Sequence, residues 1–230
     1  YLELHTKEKR VLKKYLPEYD PVIVLRDSKI LLKDDKIKQN VQLSGLVKMK
    51  NDFSIYNLNQ DYFYKKNTFD INGDIDLTDT KVNISKLNYV KKNGEKSNLF
   101  FNVNLAPNKI YNIKNLKFIS NESSINASNV TLNKDFQLVD LKKIKVKTFL
   151  NNKKNNSFII EKSKKIEISG EVFDAQPLLK SLYEKNKKKN FSKNFTSNIK
   201  INFKKTLTGT SDIISDFSLI ALIKKGSFEK

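Results

Sequence analysis

The chain has 230 residues, with 44 basic against 25 acidic side chains, a formal charge of +19, one histidine and no cysteine. That inventory excludes disulfides, thiolate metal sites, cysteine nucleophiles and multi-histidine metal centres. No apolar run reaches the roughly 20 residues that a membrane-spanning helix needs.

A charge of this size attracts anions, whether nucleic acid, anionic lipid head groups or acidic partners. The lysines are spread along nearly every segment, as on a solvated surface. The first predicted element is a helix near 6–16, within "HTKEKRVLKKYLP". There Thr6 can cap, Val11, Leu12, Tyr15 and Leu16 form an apolar stripe, and Pro17 ends it.

The dominant period after that is two. In "FDINGDIDLTDTKVNIS", residues 69–85, Phe69, Ile71, Gly73, Ile75 and Leu77 alternate with Asp70, Asn72, Asp74, Asp76 and Thr78. Successive side chains of a strand point to opposite faces, so this is an amphipathic strand. A calcium loop would need glycine at its sixth place and glutamate at its twelfth. Counted from Asp70, those places hold Ile75 and Lys81, and the only glycine, Gly73, comes fourth. Asp79 is expected to open the turn that follows, its carboxylate bonding nearby backbone.

The alternation continues through Val82 and Ile84, then Phe101, Val103 and Leu105. Ile113 and Phe118 follow, separated by a phase slip. Ile144 and Val146 mark another strand, then Ile166 and Ile168, then Ile199, Ile201 and Phe203. Short polar breaks such as "KKNGEK", "NESS" and "NNKKNN" have hairpin length. A second helix, near 174–188, is expected in "FDAQPLLKSLYEKNKKK": Asp174 can cap it, Pro177 sits in its first turn, and Leu178, Leu179, Leu182 and Tyr183 share one side. The reading is mostly β: a long antiparallel meander of about a dozen strands, one face apolar and one wet, with two short helices.

Nothing in the chain assembles an active site. His5 stands alone, and the nucleophile-elbow, dinucleotide and phosphate-loop patterns are missing from the sequence. No catalytic residue, metal or cofactor is expected. Nucleic-acid binding on a basic sheet would need aromatics among the lysines of one face, whereas Phe101, Phe118 and Phe203 fall with the aliphatic residues.

"GDIDLTDTKVNISKLNYVKKNGEKSNLFFNVNL" and "IEISGEVFDAQPLLKSL" resemble two segments of AsmA-like proteins, in the same order and about as far apart. The resemblance covers roughly residues 40–205. It implies a long twisted sheet curled into a groove, with an apolar concave face that shields phospholipid acyl chains. It also implies a periplasmic location, an inner-membrane anchor elsewhere in a longer protein, other envelope proteins as partners, and a role in phospholipid transport and outer-membrane maintenance. The chain is more basic and poorer in glycine than that family. On this reading the groove-lining residues are Ile71, Ile75, Leu77, Val82, Ile84, Phe101, Val103, Leu105, Ile113, Phe118, Ile144, Val146, Ile166, Ile168, Ile199, Ile201 and Phe203. All 230 residues would form one groove segment. A structural envelope or adhesion domain with the same face sealed as a core is the alternative, and a nucleic-acid-binding domain the third.

Overall fold

The computed structural model describes residues 2–5, 13–17, 22–49, 52–107, 110–183, 195–209, 212–225 and 227–229. The chain opens with β1 (Leu2–His5), β2 (Val22–Asp34), β3 (Lys38–Met49), β4 (Asp52–Phe63) and β5 (Thr68–Asp76). A small hairpin follows, made of β6 (Val82–Ile84), a 3-10 turn (Ser85–Leu87) and β7 (Tyr89–Lys91). The main sheet resumes with β8 (Ser97–Ala106), β9 (Ile110–Ser120), β10 (Ser123–Leu132), β11 (Leu138–Leu150), β12 (Lys153–Lys162) and β13 (Ile166–Asp174). Helix α1 (Gln176–Tyr183) leads on to β14 (Ser197–Leu207), β15 (Ile213–Lys224) and β16 (Ser227–Phe228).

Among the described residues, fourteen strands form one sheet in chain order, interrupted by the β6–β7 hairpin, which pairs with itself. The expected meander is present, with one departure: β13 and β14 run parallel. A parallel neighbour cannot be reached by a tight turn and needs a crossover, normally helical. The segment containing α1 fills that place. Helix α1 lies inside the expected span of 174–188, whose residues beyond 183 fall outside the described set. Of the helix expected near 6–16, residues 13–16 are described: 13–15 are helical and Leu16 is not; residues 6–12 lie outside the described set.

Asparagine shapes several of the corners. Asn151 and Asn152 both have positive φ, 50° and 59°, and they join Leu150 to Lys153 in a two-residue loop. A type I′ hairpin turn requires that geometry, which asparagine tolerates better than most residues. The turn after β5 is closed by a bond from Thr80 N to Leu77 O, 3.1 Å. Asp76, not the expected Asp79, anchors it, accepting from Thr78 N at 2.8 Å and Thr78 Oγ1 at 2.6 Å. Asp76 is the last residue of β5, so its carboxylate reaches the amides of the turn that follows.

Candidate functional site

Residues paired across neighbouring strands point to the same face. Ile30 sits beside Leu43, Leu43 beside Leu58, and Leu58 beside Gly73. The row continues through Phe101, Leu116 and Ala127 to Ile144. It then passes Ile160, Ile168 and Ile201 and ends at Leu219. An apolar residue or glycine stands at every step from β2 to β15. At a strand spacing near 4.8 Å the lane is about 50 Å long. Gly73 is needed where it stands: a Cβ there would lie 2.4 Å from Asn57 O and 3.1 Å from the Phe101 ring. The ring of Phe101 thus lies close over it and fills the gap in the lane.

A second row lies alongside. Tyr56, Ile75, Leu99 and Phe118 lead to Ile125, Val146, Phe158, Gly170 and Phe203. The β6–β7 hairpin covers this row. Leu77, Val82 and Tyr89 pack on Phe118, with Ile75, Ile84, Leu99 and Ile125 around them. Leu87 reaches the cluster of Val146, Phe158 and Phe203. The hairpin is therefore a wall along one flank of the lane.

Polar contacts fix that wall. Lys91 is fully buried, and its Nζ donates to the carbonyl oxygens of Leu77, Thr78 and Thr80, the last at 2.8 Å. Asn156, also fully buried, donates to Leu87 O at 2.8 Å and Thr148 Oγ1 at 2.9 Å, and accepts from Asp174 N at 3.0 Å. Asn88, held in the left-handed region at φ 49°, donates to Asp174 Oδ2 at 2.9 Å and Gln176 Oε1 at 3.1 Å. The other oxygen of Asp174 accepts from Gln176 N at 3.1 Å and so caps α1. "DLTDTKVNISKLNYVK" and "FDAQPLLK", some 86 residues apart, thus meet in one buried network. Burial pushes the Tyr89 phenol above its usual range.

The expected lining residues divide accordingly. Ile71, Phe101, Val103, Leu105, Ile113, Ile144, Ile168 and Ile201 lie on the apolar face, partly exposed. Ile75 is partly exposed beside the wall, while Phe118, Val146 and Phe203 are buried. Leu77, Val82 and Ile84 do not line the sheet: β5 ends at Asp76, and these residues belong to the wall above it. Ile166 and Ile199 are sealed in a cluster with Phe195 and Ile223 at the far margin. Sequence reasoning missed the lane's first quarter, Ile30, Leu43 and Leu58, although "NVQLSGLV" carries the same alternation.

The aspartates do not converge. Asp70 accepts from Asn104 at 2.6 Å and Lys114 at 3.1 Å, while Asp74 accepts from Asn57 at 3.1 Å. Asn40 donates to Asn59 at 2.7 Å and Asp61 at 2.9 Å in the same ladder of wet-face side chains. Burial opposes the Asp70 charge, but the bonds from Asn104 and Lys114 outweigh it and hold the carboxyl below its usual value. A cavity of about 820 Å³ lies on the wet face over β2–β5, lined by Lys29, Lys33, Asn40, Asn59, Asp61 and Asp74 among others. The sheet there cups its polar side. On the apolar side of β2–β4, Leu25, Val47 and Tyr56 form a buried cluster on which Leu43 and Leu58 pack, while Ile30 is 53% exposed.

Comparison of the chain with family models, with curated proteins and with solved structures gives no match.

Proposed function

We propose that this chain is a lipid-shielding segment of an AsmA-like envelope protein, and that phospholipid acyl chains lie along the apolar lane. The observation that carries the reading is the unbroken apolar row from Ile30 to Leu219 on a sheet that does not close. Each methylene removed from water is worth about 0.8 kcal/mol, so a lane with no polar step holds a fatty tail at every position along it. No reacting group is required, because movement along the lane breaks no bond. The sequence resemblance supplies the setting: the periplasm, an inner-membrane tether in another part of the protein, and traffic of phospholipid toward the outer membrane.

The test is uptake. Delipidated chain is incubated with fluorescent phospholipid and examined by native electrophoresis. Co-migration of lipid with the chain is expected. A folded chain that takes up no phospholipid overturns the reading in favour of a purely structural domain, and salt-sensitive DNA binding without lipid uptake moves it to nucleic acid.

A further inference from the structure

In an antiparallel meander, successive connections alternate between the two margins of the sheet. The connections β2–β3, β4–β5, β8–β9 and β10–β11 therefore share one margin, and the β6–β7 hairpin, which joins β5 to β8, stands at the other. At the hairpin's margin the turns β9–β10 and β11–β12 carry Asn121, Glu122, Asn151 and Asn152. At the far margin each of the four connections is flanked by an exposed apolar side chain. Ile37, 68% exposed, and Leu32, 63%, stand at β2–β3, Tyr64 at β4–β5, Ile110 at β8–β9 and Val139 at β10–β11.

The first two of these tips are tied together. Tyr64 N donates to Ile37 O at 3.3 Å, and the Tyr64 hydroxyl donates to Asp34 Oδ1 at 2.6 Å. The Tyr62 ring lies edge-on to Tyr64, centroids 5.4 Å apart, and 4.6 Å from the ring of Phe69. The carboxylates here bond within the protein: Asp34 to Tyr64, Asp35 to Ile37 N at 2.6 Å and Lys38 N at 2.8 Å, and Asp61 to Lys38 Nζ at 2.9 Å. Lys36, Lys65 and Lys66 stand exposed on the same two tips.

An exposed apolar patch on a soluble surface marks a place where another phase or partner meets it. Aliphatic tips interleaved with tyrosine and lysine suit the interface of an anionic bilayer. There the aliphatic groups enter the acyl boundary, tyrosine sits at head-group level, and lysine meets lipid phosphate. We propose that this margin is a docking edge for the surface of an anionic phospholipid bilayer. The edge is the row of turns opposite the hairpin wall, and it does not rest on the acyl-chain reading of the lane.

The test uses the full chain, which has no tryptophan, so Ile37→Trp introduces a single reporter. With phosphatidylglycerol vesicles that contain brominated phosphatidylcholine, its emission is expected to shift to the blue and to be quenched. Glu122→Trp, at the opposite margin, is expected to show neither change. Sedimentation with phosphatidylglycerol vesicles then measures affinity, and circular dichroism checks the fold of every variant. Leu32→Ser/Ile37→Ser, which leaves the charge unchanged, and Lys36→Gln/Lys65→Gln/Lys66→Gln are each expected to weaken binding by roughly tenfold or more. Lys92→Gln/Lys96→Gln/Lys153→Gln removes the same charge from exposed lysines at the opposite margin and is expected to cost less than about threefold. An unshifted and unquenched indole in vesicle-bound Ile37→Trp, equal losses in the two lysine variants, or absence of vesicle binding overturns the docking edge.

Discussion

Phe118 and Ile30 belong to the same face of the same sheet, yet Phe118 is 5% exposed and Ile30 53%. Over β5 and β8–β12 the β6–β7 hairpin gives the apolar face a partner, and its second row is buried. Over β2–β4 the buried part is a smaller cluster, Leu25, Val47 and Tyr56, while Ile30, further along β2, stands open. A single sheet cannot bury one of its own faces, since a packed core needs two layers. The walled flank is therefore where folding stability is concentrated. The bare stretch is where apolar surface remains available to a ligand, because large exposed apolar patches mark binding surfaces.

Five substitutions break or sharpen that contrast. Phe118→Ala empties the space beneath the wall and is expected to cost about 3–5 kcal/mol in urea unfolding, while Ile30→Ala shifts stability by no more than about 0.5 kcal/mol. Asn156→Ala leaves Asp174 N without its partner in the interior, and Leu87 O with Asn155 alone, and is expected to cost about 2 kcal/mol. Hydrogen exchange at the β6–β7 amides should then quicken while β3 and β4 keep their protection. Ile30→Asp puts a charge in the lane at a position 53% exposed. Phospholipid affinity, read by fluorescence titration, should fall by on the order of 2 kcal/mol, roughly thirtyfold, with little change in the urea midpoint. The smallest effect concerns pH. The Asp70 carboxyl is held below its usual value when folded, so its contribution is present above the unfolded pKa, about 3.9, and is lost as pH falls through the folded one. Stability measured against pH should lose part of its acid-side slope in Asp70→Asn.

Much of the floor was legible because a strand writes its two faces at alternate positions. Ile71, Phe101, Val103, Ile144, Ile168 and Ile201 fall where alternation puts them, and the aspartates of β5 fall opposite. What alternation cannot show is where a chain leaves its sheet. Leu77, Val82 and Ile84 continue the period of β5 in sequence but stand above the floor, because the turn that starts at Asp76 lifts the chain off the sheet. Nor can a local pattern show that Asn88 and Asp174 meet, since their contact depends on how far β8–β13 carry the chain. The parallel pairing of β13 and β14 was foreshadowed only by the helix between them. The phase slip near Ile113 was visible, and its place in the sheet is a register shift in the pairing of β8 with β9.

The most direct measurement places a photoreactive side chain at single positions on the two faces and asks which of them captures phospholipid. The pairs are Leu58 against Asn72, Ile144 against Lys143, and Ile168 against Glu167, each an apolar-face position and an exposed wet-face one. With phospholipid loaded and the sample illuminated, adducts are expected at Leu58, Ile144 and Ile168 and not at their counterparts. Equal capture from both faces, or capture from neither in a folded and lipid-exposed chain, would contradict an open lane for acyl chains.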